Sequence, residues 1–201
     1  VLSEIPALPP AARTVGSPQI RAAGSLGGNL GTCSPAGDTL PVMFALDAMI
    51  HLKTLDSTRV ISIHDFMIGV KRSVRQHDEI ITSIDFPIIN GWQGYSKVGV
   101  RNAMVISVAS ACLVADHENA NVRIALGSVG PTIIRCHEAE SWLTSSQDLS
   151  AGQSISLDVA NEFGRRAAGE SSPIDDHRST AQYRRHAISV LASRLLRKAY
   201  P

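Results

Sequence analysis

Residues 24–38, Gly-Ser-Leu-Gly-Gly-Asn-Leu-Gly-Thr-Cys-Ser-Pro-Ala-Gly-Asp, have the composition best suited to holding a ligand. Glycines let backbone N–H groups approach an anion closely, and consecutive N–H groups form a nest for a pyrophosphate. A helix opening after the segment would add its positive N-terminal end. The segment contains neither the dinucleotide fingerprint G-x-G-x-x-G nor the Gly-Lys-Ser/Thr of a nucleoside-triphosphate loop. A tight structural turn accounts for the same composition, and an N-cap role accounts for Asp38 without a ligand.

Other reactive side chains form no set. His51, His64 and His77 recur at 13-residue steps, too far apart for a local metal motif, and read as satisfied or solvent-facing histidines. Ser107 and Ser110 lack the G-x-S-x-G turn of a hydrolase nucleophile. Cys33, Cys112 and Cys136 are separated by 79 and 24 residues, unlike the short paired spacings of zinc or iron–sulfur ligands. They read as small buried hydrophobes in a reducing compartment. No catalytic and no metal-ligating residue is assigned.

The 201 residues carry 19 basic and 18 acidic side chains, a net charge of +1. That balance argues against a nucleic-acid partner, which calls for a basic excess. Hydrophobic residues make up 44%, enough for a real core. The longest apolar-rich stretch, 98–115, is interrupted by Arg101 and Asn102, so no membrane span is expected. No secretory leader is visible, and the expected location is cytoplasmic.

Strands and segregated helices together imply an α+β fold. The pattern predicts a short helix or loop over residues 3–13, a loop over 24–37, and a buried helix with Asp38 as N-cap and Pro41 in its first turn. Strands follow at Met49–Leu55, Arg59–Ile63 and Ile80–Phe86, then at Gly91–Val100, Val105–Ala115 and Asn121–Val129, the last two as an antiparallel hairpin. In the third strand Ile80, Thr82, Ile84 and Phe86 should face one way and Ile81, Ser83 and Asp85 the other. After Pro131 the chain turns helical, at Cys136–Leu143, Leu157–Ala168 and Thr180–Ala199. In the last helix Ile188, Leu191, Leu195 and Ala199 form the apolar stripe. Arg184, Arg185, Arg194 and Arg197 would mark a solvated face or a subunit contact.

Five segments, in order, resemble the flavoprotein (medium) subunits of the molybdenum hydroxylases, the family of xanthine dehydrogenase and carbon monoxide dehydrogenase. The first combines Gly27-Gly28-Asn29, Ser34-Pro35-Ala36-Gly37-Asp38 and Pro41. The others are Glu79–Pro87, Tyr95–Ala111 with its aromatic-x-Lys start, Arg123–Glu140 and Arg178–Leu196. The resemblance covers nearly the whole chain. It implies the second FAD-binding subdomain over residues 1–90, an antiparallel sheet with helices. Residues 91–201 would be a carbon monoxide dehydrogenase flavoprotein-like C-terminal domain, with a small antiparallel sheet and a helix bundle.

The resemblance also implies FAD as cofactor, held by the turn Ser25-Leu26-Gly27-Gly28-Asn29. Asp38 would hydrogen-bond the cofactor, Val15 would be an apolar contact, and Ile81 a strand residue packing on it. Lys97 would be a positive charge near the flavin, suited to a reduced, anionic ring. The implied partners are a molybdopterin-binding large subunit and a 2Fe–2S small subunit, with electrons passing through FAD to NAD+, oxygen or another acceptor. The family's first FAD-binding subdomain, with its own glycine-rich loop, has no counterpart in this sequence. The expectation is therefore part of a cofactor site and weak or no FAD binding by this chain alone. The competing reading is a non-catalytic module that docks on the other subunits and never binds flavin.

Overall fold

The computed structural model describes residues 4–201; Ser3, at the start of the 3–13 stretch, lies outside them. Four short helices come first: α1 (Leu8–Arg13), α2 (Pro18–Ala23), α3 (Leu26–Thr32) and α4 (Leu40–Ala45). They lead into β1 (Met49–Lys53), β2 (Thr58–Ser62), α5 (Ile63–Phe66), β3 (Met67–Gly69), β4 (Arg72–Ser73) and β5 (Ile80–Asp85). Four strands follow, β6 (Gly91–Val98), β7 (Ala109–Asp116), β8 (Asn121–Gly127) and β9 (Ile134–Arg135). The helices α6 (His137–Ser146), α7 (Leu157–Gly169) and α8 (Ala181–Ala199) end the chain. The sheets are antiparallel, ordered β2-β1-β5, β3-β4 and β6-β7-β8-β9.

The glycine-rich stretch expected as a loop contains α3. Glycine costs a helix about 1 kcal/mol per residue relative to alanine, so local propensity alone would not predict it. Capping and packing decide the matter: the Ser25 hydroxyl accepts the Gly28 N–H at 3.0 Å, Leu30 is buried, and the Gly27 and Gly31 side of α3 rests on Ile81 of β5. Cys33, in the left-handed region at φ 47°, ends the helix. Asp38 is not the N-cap of the next helix. That helix, α4, starts at Leu40 after Thr39, and no side chain caps it. Pro41 does fall in its first turn, and all six of its residues are buried.

The alternation in β5 also departs from a uniform period of two. The β1–β5 register pairs His51 with Ser83 but Leu52 with Ile81, a bulge that skips Thr82. The extra residue lets both Ile81 and Ile84 turn toward the core while Ile80 stays exposed. At the edge of this sheet Arg59 of β2 grips Glu79, with Nε to Oε1 at 2.6 Å and Nη2 to Oε2 at 2.9 Å. The Gln76 N–H donates to the same carboxylate at 2.7 Å. The Arg59 bonds, then the Gln76 bond, hold the Glu79 carboxyl at about 2. A carboxyl depressed in the folded state contributes stability above its unfolded value, near ~4.3, and loses it as pH falls through the folded one. Glu79→Gln is therefore expected to flatten the decline of the urea midpoint between about pH 5 and 2. An unchanged decline would show that the clamp adds nothing.

The hairpin β7–β8 forms as expected, with β7 starting at Ala109 rather than Val105. Every residue of β7 is buried, because the sheet is covered on both sides. Ala111, Leu113 and Ala115 belong to the core built with α6, α7 and α8. Cys112 and Val114 belong to the core built with α4 and the N-terminal helices. The three cysteines are buried and unpaired, as expected of small hydrophobes. In α8 the stripe Ile188, Leu191, Leu195 and Ala199 is buried. Arg184 is a correction: it is buried, not part of a solvated face. Its guanidinium donates to the Val108 and Ser128 carbonyls, each at 2.9 Å, and to Asp176 at 2.6 Å, bonds that offset its desolvation. Asp47, just past α4, accepts from His64 at 2.7 Å and joins the halves by accepting from Arg135.

Candidate functional site

The turn between α1 and α2 is built by Gly16 at φ +48°, a conformation glycine adopts without penalty. Arg21 locks it by donating to the Val15 and Gly16 carbonyls at 3.0 and 2.9 Å. This turn and the start of α3 enclose a cleft of about 570 Å³, lined by Val15, Ser25, Leu26, Gly28 and Asn29 among others. Five of the nine residues singled out in the sequence thus share one surface. With the Gly28 N–H taken by the Ser25 cap, the N–H groups of Leu26 and Gly27 are the open donors of the first turn of α3. Asn29 accepts the Thr39 hydroxyl at 2.6 Å, which leaves its NH2 group as a donor. Arg13 and Arg21 add positive charge to the wall, and Ile20 adds an apolar side chain that is 59% exposed.

Gly27 and Ile81 do not line the cleft. Ile81 lies beneath α3 against Gly27 and Gly31, where it sets the height of the helix. Asp38 lines a second cleft of about 220 Å³, which shares Val15 and Asn29 with the first and is closed on its far side by Met104, Val105 and Ile106. The two clefts adjoin at these shared residues.

Asp38 is 6% exposed, and each of its carboxylate oxygens accepts one hydrogen bond. Lys97 Nζ donates to its Oδ2 at 2.7 Å and the Tyr95 hydroxyl to its Oδ1 at 2.9 Å. Lys97 also donates to the Thr14 carbonyl at 3.2 Å, and its side chain is 8% exposed. Its charge is thus matched by Asp38 rather than free. Burial, then the Asp38 charge, pushes the Tyr95 phenol well above its usual range. A third cleft, of about 690 Å³, runs past Lys97 between Arg13, Arg21 and Arg101.

An elongated dinucleotide such as FAD needs donors and positive charge for its pyrophosphate, apolar walls for its rings and acceptors for its hydroxyls. The open Leu26 N–H, Arg13 and Arg21, the side chains of Val15, Ile20 and Leu26, and Asp38 supply these in the two adjoining clefts. The residues present fit the group. Arg13, Arg21, Thr14, Thr39 and Tyr95 were not assigned to the site from the sequence. Tyr95 carried a readable signal: two residues before Lys97 on a strand, it must share that lysine's face.

Two family profiles match the chain: the FAD binding domain in molybdopterin dehydrogenase over residues 1–89, and the CO dehydrogenase flavoprotein C-terminal domain over residues 95–199. Among characterised relatives, the nicotine 6-hydroxylase medium subunit of Paenarthrobacter nicotinovorans is 31% identical over 99% of this chain and 69% of its own length. The glyceraldehyde dehydrogenase medium chain of Sulfolobus acidocaldarius is 28% identical over 98% of this chain and 69% of its own. Among solved structures, the carbon monoxide dehydrogenase of Hydrogenophaga pseudoflava superimposes with a TM-score of 0.86 at 24% identity, covering 99% of this chain and 68% of the matched one. That last likeness establishes the fold.

Proposed function

The chain belongs to the family of FAD-binding medium subunits of molybdenum hydroxylases, and from that premise we propose that its Val15–Asn29 cleft and the adjoining Asp38 cleft hold FAD within a multi-subunit oxidoreductase. The observation that carries this reading is the convergence of Val15, Ser25, Leu26, Gly28 and Asn29 on one cleft with paired arginines. Arg13 and Arg21, with the open Leu26 N–H, would take the pyrophosphate. Val15, Ile20 and Leu26 would exclude water from the rings, and Asp38 would accept from a cofactor hydroxyl. Bound there, FAD would supply redox chemistry, the electrons coming from a molybdopterin large subunit by way of a 2Fe–2S small subunit and leaving to NAD+ or another acceptor.

In this reading residues 1–90 carry the walls of the first cleft, and residues 91–201 complete the site through Tyr95, Lys97 and the Met104–Ile106 wall of the second. No described helix is long and apolar enough to cross a membrane. The reading is tested by titrating FAD into the complete polypeptide and recording visible absorption after desalting. Gly28→Val would push side-chain atoms toward the Ser25 Oγ, 3.2 Å from the first added carbon, and over the cleft floor. Flavin bands in the parent and their loss in a folded Gly28→Val protein are expected. A folded parent that retains no flavin would overturn the reading and favour a docking module.

A further inference from the structure

We propose that Tyr95 is a positioning residue for the cofactor site, holding the Asp38 carboxylate so that its remaining lone pairs face the cleft shared by the two halves of the chain. The proposal rests on the FAD reading above and goes beyond it, because Tyr95 lines neither of those two clefts. The geometry has three parts. Tyr95 and Lys97 are alternate residues of β6, so both side chains leave the same face of the strand. Each takes a different oxygen of Asp38, at 2.9 and 2.7 Å. A carboxylate gripped at both oxygens cannot rotate about its terminal torsion, which is otherwise broad and two-fold.

Lys97 is itself tethered to the Thr14 carbonyl, next to Val15, so the same grip ties the turn wall of the first cleft to β6. Each Asp38 oxygen retains acceptor capacity beyond the bond it already makes. Asp38 lines the second cleft together with Val15, Asn29 and Ile106. Asp38 thus presents fixed acceptor positions to a ligand hydroxyl, and β6 sets where they point.

A position set through Asp38 predicts coupling, which distinguishes it from general support of the fold. FAD affinity is measured by fluorescence titration of the complete polypeptide for the parent, Tyr95→Phe, Asp38→Asn and the double variant, with a thermal melt on each. Tyr95→Phe keeps the ring and removes only the hydroxyl. It is expected to weaken FAD binding about tenfold, the scale of one charge-assisted hydrogen bond. In the Asp38→Asn background the same change is expected to do nothing further to affinity. An unchanged affinity in Tyr95→Phe, or an equal loss with and without Asp38, would overturn the proposal.

Should Tyr95→Phe fail to fold, the 13Cζ resonance of Tyr95 in the native chain is the second readout. It is expected to shift on adding FAD, because the carboxylate that the phenol donates to gains a new partner. A stationary signal would overturn the proposal. An Asp38→Asn protein that binds FAD as well as the parent would instead contradict Asp38 as a ligand, and that failure is separate from the failure of Tyr95.

Discussion

Replacing Asp38 with alanine is expected to lower both the stability of the chain and its retention of FAD, each by a large factor. The sequence suggested a helix cap, whose loss costs about 0.5–2 kcal/mol. The structure puts the carboxylate to a different use. Asp38 faces the Lys97 ammonium at 2.7 Å, with both side chains less than a tenth exposed, and also accepts the Tyr95 hydroxyl. Removing it leaves a buried ammonium without its counter-charge and a half-buried phenol without its acceptor. Breaking one partner of a buried pair costs about 3–5 kcal/mol. For a domain of this size that lowers the melting temperature by roughly 2–4 °C per kcal/mol. Flavin retained after desalting should fall at least about tenfold below the parent, the equivalent of ~1.4 kcal/mol of binding. The check is a thermal melt beside the flavin-to-protein absorbance ratio. A melting temperature within a degree or so of the parent would show that Lys97 and Asp38 do not form the described pair. An unchanged flavin ratio in folded protein would remove Asp38 from the cofactor site.

The second large effect lies far from the cleft, where α7 and α8 cross. A Cβ added at Gly164 would sit 2.2 Å from the Ser189 carbonyl oxygen and 3.3 Å from the Ser193 Cβ. The first of these is backbone, so no side-chain rotation relieves the clash, and the helices would have to separate. Helix propensity alone favours alanine over glycine by about 0.8–1.0 kcal/mol. The two effects therefore have opposite signs, and overpacking costs about 1–3 kcal/mol or more. Gly164→Ala is expected to lower the melting temperature despite its better propensity, and Gly164→Val to abolish cooperative unfolding of the folded chain. Gly169, with nothing within 4 Å of an added Cβ, is the control, and Gly169→Ala should be neutral or slightly stabilising. Circular dichroism melts check the series. A Gly164→Ala protein more stable than its parent would contradict the described crossing.

The long-range order of the fold was legible because strong local patterns agreed with it. The period of Ile188, Leu191, Leu195 and Ala199 located α8, and the polar run 116–119 located the β7–β8 hairpin. The departures arose where tertiary contacts overrode local propensity. The glycines of 24–31 read as loop, yet a serine cap and a seat on Ile81 make them helix. The bulge at Thr82 shifts the phase of β5, which no count of alternating residues can reveal. Arg184 looked like a surface arginine because of its charge, although it stands four residues before Ile188, in phase with the buried stripe; its carbonyl partners lie 56 and 76 residues away. At the site, the spacing of Ser25–Asn29 placed four lining residues on one turn. The company kept by Asp38 was invisible, since Tyr95 and Lys97 lie 57 and 59 residues further along the chain.

Hydrogen exchange read by mass spectrometry, on the complete polypeptide with and without saturating FAD, tests the central claim most directly. Slowed exchange concentrated in residues 13–32 and 36–39, with a second protected stretch at 95–98, is the predicted result. Protection confined to other segments, or none at a concentration that saturates flavin fluorescence, would contradict a cofactor site built by the Val15–Asn29 cleft and Asp38.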